Sequence, residues 1–424
     1  MENENRENAF MMQPNEMQSV AEPLWSDSLQ VLRPKRRTLL DGFADASDFR
    51  TRPLERQDFR ALWQSASRRL TPYCLDPTRQ QVIFVETPEG INLVDDHPFL
   101  YEAQRRHAVK LHAVPYAAVM ALAAEIPDAL ARTPVIFLHS TGRCGSTLLC
   151  RLLGDAAGTV SVSEPDFYSQ LVLLREGATA ADEAQLGRIT AACTRLLVAH
   201  LRGANPAAQS VVIKLRGVVV FAADLLARDL PDARHLFLYR NATDTVDSFF
   251  AMLMRVPLMR LARKVRLETM VLRLLALINP MKRNPGALAP LYKQAHYQKQ
   301  IPEDLAAFLT IGWLSKMDRV LDLQRNPPGF FQAVLRYEDL CVQGTALIPD
   351  LLAALSLPAA DEVAMARMGR TMSRNAQEGS ILASTGGSTL RPRQREMIHR
   401  MLALHPEIQV SDYLLPGTLR REQG

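Results

Sequence analysis

The sequence predicts an α/β protein whose central parallel sheet is flanked by helices. From residue 134 onward, short apolar segments of strand length alternate with segments of helix length, which is typical of parallel sheets covered on both faces. The predicted strands cover residues 134–139, 159–163, 210–215, 235–240 and 331–336. Ligands of such sheets bind beyond the carboxyl ends of the strands. The residues that follow these segments are therefore the candidates for a site.

Three regions are expected along the 424 residues. Residues 1–30 are polar and lack periodicity, which predicts a disordered tail. Residues 31–132 form an accessory region, with a predicted strand at 81–85 and then a helical stretch that ends near Ala131. Residues 133–415 form the main domain, in which a helical insertion at 250–330 interrupts the alternation.

The composition is ordinary for a globular chain, with 47% hydrophobic and 22% charged residues. The five cysteines are scattered without metal-ligand spacing, which favours a reducing compartment over a disulfide framework. The N-terminus lacks the apolar segment of a signal peptide, and no apolar stretch is long enough to span a membrane. We therefore expect a cytoplasmic protein with neither a membrane span nor a nucleic-acid partner.

Positive charge is concentrated in residues 251–300, which hold ten Lys or Arg residues and one acid, Glu268. The segment contributes +9 to a net charge of +5, which leaves −4 for the rest of the chain. A local positive field of this kind attracts anions. Within it, the segment from Leu258 to Ile278 is apolar on one side and basic on the other. Three interpretations stay open: packing on the domain, a lid over an acceptor, or contact with a membrane surface.

The most informative segment is 134–147, an apolar strand that runs into a glycine-bearing turn and then a helix. Amide N–H groups and the helix dipole converge at such a turn and form an anion cradle. The turn lacks the lysine of a nucleoside-triphosphatase loop. The residues predicted to hold a phosphate or sulfate are Thr141, Gly142, Arg143, Cys144, Gly145, Ser146 and Thr147. The alternative is a tight turn in which the glycines have only a structural role.

A second candidate anion site begins where the fourth predicted strand ends. Arg240 closes that strand, and Asn241 or Thr243 can cap the helix that follows. Ser248 lies two turns along this helix and can face back towards Arg240. The alternative is a solvated serine on a helix that follows an unrelated arginine.

Two phosphate pockets on one parallel sheet, without a Walker lysine, resemble those of sulfotransferases that use 3′-phosphoadenosine 5′-phosphosulfate (PAPS). The run Arg143-Cys144-Gly145-Ser146-Thr147 is in register with that family's 5′-phosphosulfate loop, Lys/Arg-Ser-Gly-Thr-Thr. Arg240 and Ser248 match the arginine, and the serine eight residues later, that bind the 3′-phosphate. The resemblance covers residues 134–390, roughly, and implies the P-loop-type fold of these enzymes.

The resemblance extends to the rest of the donor pocket. Tyr337 opens the string Tyr-Glu-Asp-Leu after a predicted strand and resembles the tyrosine that lies by the adenine. The family's C-terminal phosphate loop, Arg-Lys-Gly-x-x-Gly, is absent in that form. Arg374 and Gly379 are the counterparts that the resemblance implies there, together with Ser380.

The resemblance also implies catalytic roles. Lys214 resembles the lysine that contacts the transferring sulfonyl group, and Arg143 would share that charge stabilisation. Arg216 stands where cytosolic members have a histidine base, and an arginine cannot replace it because it does not deprotonate in proteins. Glu164 resembles the acidic base of tyrosine- and glycan-directed members, with a structural helix-capping role as the alternative.

The resemblance therefore implies a transferase that moves a sulfuryl group from PAPS to a hydroxyl or amine. PAPS would be its co-substrate, without a metal, and the acceptor would be a small molecule or a glycan-like or lipid-like compound. Two alternatives stay open, a P-loop kinase-like phosphotransferase and a non-catalytic nucleotide-binding protein. The acceptor's identity and the oligomeric state do not follow from the sequence.

Overall fold

The structure of the chain is a computed structural model in which two sheets are the main elements. It describes residues 23–35, 42–126, 130, 133–156, 158–264, 267, 270–271, 285–299, 304–326, 328–373 and 389–420. None of the helices in these ranges is long and apolar enough to cross a membrane.

The accessory region folds into an antiparallel sheet with short helices. Its strands are β1 (Trp25–Pro34), β2 (Phe49–Pro53), β3 (Gln57–Asp58), β4 (Leu70–Asp76), β5 (Gln81–Glu86) and β6 (Lys110–Pro115). They lie in the order β2-β1-β6-β5-β4, and β3 pairs with β1. Its helices are α1 (Phe59–Ala66), α2 (Leu93–Asp96), α3 (Leu100–His107) and α4 (Tyr116–Glu125).

The sequence predicts this region only in part. The strand at 81–85 is confirmed as β5. The prediction of a disordered tail through residue 30 is wrong from Trp25 onward, where β1 begins. Residues 1–22 lie outside the described residues. The helical stretch expected up to Ala131 is interrupted by β6. Strand β1 is missed in the sequence because Ser26 and Ser28 occupy buried positions. The strand therefore lacks the apolar alternation by which strands are recognised.

The main domain carries the predicted parallel sheet, which confirms the fold class. Its strands are β7 (Val135–Ser140), β8 (Thr159–Ser163), β9 (Ser210–Lys214), β10 (Arg234–Tyr239) and β11 (Ala333–Arg336). They lie in the order β11-β10-β7-β9-β8, and every pair is parallel. Because β7 lies between β9 and β10, the loops that leave these three strands meet at one edge of the sheet.

Helices cover the parallel sheet, and several of them lie along the chain between its last two strands, β10 and β11. They are α5 (Ser146–Gly154), α6 (Phe167–Leu174), α7 (Ala180–Ala204), α8 (Ala223–Asp229), α9 (Ala242–Leu253), α10 (Pro257–Lys264), α11 (Pro285–Leu288), α12 (Ala295–Gln298), α13 (Leu305–Arg325), α14 (Tyr337–Gln343), α15 (Ile348–Ala354), α16 (Glu362–Met372) and α17 (Pro392–Ala403). The helices expected at 348–355 and 392–404 are confirmed as α15 and α17.

The basic insertion begins with α10, which packs on α9. Met259 is fully buried, whereas Leu258 and Leu261 are 49% and 61% exposed. The Arg263 guanidinium lies 4.8 Å from the centre of the Phe250 ring of α9, which adds a cation–π contact to the packing. This part of the segment from Leu258 to Ile278 therefore packs on the domain, and most of the remainder lies outside the described residues.

The two sheets share one hydrophobic core. Phe84 of β5, Leu196 of α7 and Ile213 of β9 are buried in the same cluster. Burial of a large apolar side chain contributes about 1.5–3 kcal/mol, so a cluster that spans both sheets joins them firmly. The antiparallel sheet is thereby held against the side of the parallel sheet that carries β8 and β9, and its loops reach the ends of those strands.

Candidate active site

The turn between β7 and α5, the predicted anion cradle, has a left-handed backbone. Gly142 and Gly145 have φ values of +79°, and Arg143 between them has φ +56°. Successive left-handed residues turn neighbouring amide N–H groups towards one point, and the N-terminus of α5 adds its dipole there. Left-handed backbone costs a non-glycine residue roughly 1–2 kcal/mol. Arg143 adopts it at the position where the sequence predicts a ligand.

The tyrosine at the start of α14 explains why the cradle needs a glycine. A Cβ atom on Gly145 would lie 2.3 Å from Cε2 of Tyr337, which no packed structure tolerates. The Tyr337 ring also lies 5.1 Å from the guanidinium of Arg240, close enough for a cation–π contact. Tyr337 therefore contacts both predicted anion motifs.

A hydrogen bond joins the two motifs directly. Nε of Arg143 donates to Oγ of Ser248 over 3.0 Å, although the two residues are 105 positions apart. Arg240 instead pairs with Asp244, with Nη2 2.9 Å from Oδ2. Among the residues that the structure describes, its buried Nε has no hydrogen-bond partner. The Ser248 hydroxyl, expected to face Arg240, thus accepts a hydrogen bond from Arg143.

Positive charge accumulates around the cradle. Burial lowers the pKa of Arg143, and the nearby charges of Arg255 and Arg240 lower it further. Like charges held together in a poorly solvated place are unfavourable unless an anion lies between them. Arg255 belongs to the basic segment 251–300, so that segment contributes at least one charge to this site.

The second group of predicted residues lies where β8 and β9 end. Lys214 and Glu164 form an ion pair through Nζ and Oε1, and Nε of Arg216 lies 3.4 Å from Oε2 of Glu164. The Lys214 and Glu164 side chains are only 5% and 12% exposed. Glu164 also has a left-handed backbone, with φ +55°. The structure thus brings the predicted base and the predicted sulfonyl-binding lysine into direct contact.

Asp166 links this group to the antiparallel sheet. It accepts a hydrogen bond from Nη2 of Arg216 over 3.1 Å and one from the backbone N–H of Ala44 over 2.5 Å. Burial raises the pKa of Asp166, and the charge of Arg216 opposes that rise. Asp166 therefore fixes Arg216, which in turn borders Glu164.

Three aromatic rings of the antiparallel region enclose the same cations. Phe99 lies 5.1 Å from Nζ of Lys214. Tyr101 and Phe43 lie 4.4 Å and 5.6 Å from the Arg216 guanidinium. Rings at these distances hold cations through their electron-rich faces and exclude water from them. The accessory region thus forms part of the wall of the site.

A cleft of about 550 Å³ opens beside this group, between the accessory region and α5. We call it the edge cleft, because β8, which forms its floor, is an edge strand of the parallel sheet. Thr147 and Ser163 line its end near the cradle. Much of its remaining wall is polar and includes Arg68, Asn92, His97, Arg151, Ser161 and His200.

Comparisons with known proteins find structural likeness alone. No protein-family model and no curated protein matches the chain. Among solved structures, it is similar to a sulfotransferase from Mycobacterium avium (12% identity, TM-score 0.36), over 59% of this chain and 71% of the other. A sulfotransferase from Mycobacterium tuberculosis H37Rv shows 15% identity and a TM-score of 0.36, over 68% and 83% of the two chains.

A third similar structure is a sulfotransferase from Alicyclobacillus acidocaldarius, with 16% identity and a TM-score of 0.33 over 64% of this chain and 91% of that one. At identities and TM-scores this low, the function of the chain has to be inferred from its own residues.

Three predicted donor residues lie outside the described residues, namely Arg374, Gly379 and Ser380. Ser146 and Thr147 begin α5 and are buried. Within the described ranges, no group of three or more His, Cys, Asp or Glu side chains is arranged to hold a metal ion.

Sequence reasoning missed Asp166 and the aromatic rings. Asp166 had a signal: β8 and β9 are neighbours, with Ser163 opposite Lys214, so the residues just beyond both strands must face one another. Phe99 and Tyr101 had none, because they reach the site only through the packing of a sheet whose strands were largely unrecognised.

Proposed function

We propose that this chain is a sulfotransferase that moves a sulfuryl group from PAPS to a hydroxyl or amine acceptor. The observation that carries the proposal is the hydrogen bond between Arg143 and Ser248. It joins two segments that are far apart in sequence and follow neighbouring strands, and these would together form one cationic pocket. A donor with anionic groups at both the 5′ and 3′ positions of its ribose needs such a double pocket.

The residues divide between the two ends of the donor. The amides and hydroxyls of Thr141 to Thr147 would hold the 5′-phosphosulfate, with Arg143 beside it. Arg240 and Ser248 would hold the 3′-phosphate, and the buried Nε of Arg240 offers a donor for it. Tyr337, which borders both motifs, would lie against the nucleoside. Arg374 and Gly379 remain the proposed third side of the 3′-phosphate pocket.

Transfer would begin with an exchange of partners at Lys214. Without donor, its ammonium group neutralises Glu164. A sulfonyl oxygen of the donor would compete for that ammonium group and leave the Glu164 carboxylate able to accept a proton. The acceptor oxygen or nitrogen attacks sulfur in line as its proton passes to Glu164. The bond from sulfur to the bridging oxygen breaks, and adenosine 3′,5′-bisphosphate leaves with the electron pair.

The edge cleft is the proposed acceptor site. It reaches Ser163, the residue before Glu164, and Thr147 in the first turn of α5. Its hydroxyl, amide and imidazole groups suit an acceptor that carries several hydroxyl groups, since each can exchange hydrogen bonds with such a ligand. A glycan-like acceptor therefore fits better than a lipid-like one.

Solution chemistry tests the proposal directly. Purified protein is mixed with PAPS and a panel of alcohols, phenols, amines and oligosaccharides, and adenosine 3′,5′-bisphosphate is measured with and without each acceptor. We expect bisphosphate release that depends on an acceptor and disappears in Lys214→Ala. Phosphate transfer from ATP would support the kinase alternative. Tight bisphosphate binding without turnover on any acceptor would support a non-catalytic binding protein.

Two variants separate catalysis from binding. Arg143→Ala and Lys214→Ala should lower turnover more than they weaken bisphosphate binding, because charge on the bridging oxygen and the sulfonyl group develops during transfer. Equal losses in both quantities would make the two cations ordinary binding residues.

A further inference from the structure

The long helix α13 runs behind the two anion motifs. The indole N–H of Trp313 donates to the carbonyl oxygen of Arg240 over 3.0 Å, which ties the helix to the second motif. Lys316 follows one turn later and is only 7% exposed. Cys144, in the first motif, lies within electrostatic range of it. The helix also packs on the turn Gly217–Ala222, which touches the backbone of that motif. Lys316 therefore lies near both motifs.

Lys316 has no counter-ion in the described part of the chain. Its Nζ donates to the carbonyl oxygen of Gly312 over 2.8 Å, within its own helix. Buried ammonium groups are rare unless they are paired, and burial lowers the pKa of Lys316 from 10.5 to about 8. An ammonium group placed in this way is stabilised by any anion that binds nearby.

The charged groups on the elements packed around Lys316 bond elsewhere. The turn Gly217–Ala222 carries no titratable side chain. The carboxylates of α9, α13 and α17 have other partners, namely Asp244 with Arg240, Asp247 with Thr389, Asp318 with His405, Asp322 with Arg319, and Glu396 with Arg400. Of the described titratable groups, Cys144 is the one within electrostatic range of Lys316. Burial raises the pKa of the Cys144 thiol, so it stays neutral near pH 8.

We propose that Lys316 is a further cation of the donor site, and that the anion bound in the Thr141–Thr147 cradle is its missing partner. This inference rests on the proposed use of an anionic nucleotide donor. It assigns a role to a residue outside both motifs. The anion restores the affinity of Lys316 for its proton, so the protein takes up a proton on binding the nucleotide at mildly alkaline pH.

Calorimetry measures that proton directly. Binding of adenosine 3′,5′-bisphosphate is recorded at pH 8 in two buffers that differ in ionisation enthalpy, and again at pH 6. A group with a pKa of about 8 is half protonated at pH 8, so we expect an uptake of about half a proton per nucleotide there. At pH 6 Lys316 already carries its proton, and we expect a net release instead, because the phosphate groups of the nucleotide have a second pKa of about 6 and lose protons beside cations. The buried His139 and His235 have lowered pKa values and contribute nothing at pH 8.

Variants identify the source of the proton. Lys316→Met should abolish the uptake and weaken bisphosphate binding at pH 7 by about tenfold or more, as for the loss of a charge-assisted contact. Lys316→Arg keeps the charge but does not titrate near pH 8, so it should bind without uptake. The matched control is Lys293→Met, because Lys293 is exposed and pairs with Glu176 at 3.1 Å. It should behave as the wild type does.

Each outcome has one meaning. Uptake that persists in Lys316→Met, or in Lys316→Arg if the methionine variant does not fold, overturns the role of Lys316. Unchanged bisphosphate affinity in Lys316→Met overturns it as well. Failure of the wild-type protein to bind the bisphosphate overturns the proposed function instead, which keeps the two failures distinct.

Discussion

The position of Lys316 predicts that its buried charge lowers the stability of the ligand-free protein. Its ammonium group is buried and has no carboxylate partner within the described ranges, so the charge costs free energy in the ligand-free fold. Lys316→Met keeps an unbranched apolar side chain of similar length and removes the charge. We therefore expect this variant to be more stable than the wild type at neutral pH, although it binds nucleotide less well.

The magnitude follows from the pKa. The difference between 10.5 for an ordinary lysine and about 8 for Lys316 corresponds to about 3 kcal/mol of unfolding free energy. Below pH 8 the lysine is charged in both states, and the folded protein carries the full cost. Between pH 8 and 10.5 the folded state loses its proton while the unfolded state keeps it, so the cost falls as the pH rises. Above that range it is gone.

Urea denaturation at pH 7 and at a pH near 10.5 tests this sign. Lys316→Met should raise the unfolding free energy by up to about 3 kcal/mol at pH 7 and by little at the higher pH. Lys293→Met should change it by no more than about 0.5 kcal/mol at either pH, because an exposed pair contributes little. A methionine variant that is no more stable than the wild type at pH 7, or whose advantage grows with pH, would refute the reasoning.

Three further changes probe the site. Glu164→Gln removes a base but keeps the shape of the side chain. Turnover on an alcohol should therefore fall by about 10²–10⁴-fold, with bisphosphate binding nearly unchanged. A variant that retains more than about a tenth of the activity would exclude Glu164 as the base. Arg240→Ala should weaken bisphosphate binding by about 2–3 kcal/mol. It should also abolish the protein's preference for the bisphosphate over a nucleotide without the 3′-phosphate. Calorimetry with both nucleotides measures this preference, and a preference that survives would contradict the assignment of Arg240. Gly145→Ala places a Cβ atom 2.3 Å from Tyr337, so it should destabilise the fold. In a Tyr337→Ala background the same change should lower the melting temperature by less. An equal decrease in both backgrounds would mean that backbone strain alone requires the glycine.

The parallel sheet could be predicted because its strands are buried on both faces. Segments such as Val135–Ser140 and Ser210–Lys214 are buried at every position. Their centres, 135–138 and 211–213, therefore appear in the sequence as short apolar runs between helices. The cradle could be predicted because its chemistry is local. Its glycines, its arginine and the start of α5 follow one another along the chain.

The accessory region could be predicted far less well, because its strands bury polar side chains. Ser28 of β1 hydrogen-bonds to Nδ1 of His112 over 3.0 Å, and Nε2 of that ring contacts Glu86 over 3.0 Å. This buried polar chain crosses three strands of the sheet. Buried polar groups are tolerable when they satisfy one another, but their partners become known only once the strands are paired. Periodicity alone therefore cannot recognise these strands.

Lys316 is hidden for a related reason. In the sequence it stands in a helix that carries many charged residues, where a lysine is normally solvated. Only the packing of α13 behind the strand ends places it near Cys144. The anion site thus includes residues whose chemistry is local and one whose role depends wholly on tertiary packing.

The ion pair of Lys214 with Glu164 connects the accessory region to the proposed chemistry. Lys214 lies under the ring of Phe99, and Arg216 is held between Asp166 and the ring of Tyr101. These rings and the Ala44 N–H on Asp166 all come from the accessory region. The charges of the site therefore stand in an environment that the parallel sheet cannot provide alone, and electrostatic interactions strengthen where water is excluded. The accessory region would accordingly belong to the proposed active centre, because it sets the electrostatic environment in which Lys214 would exchange Glu164 for the donor.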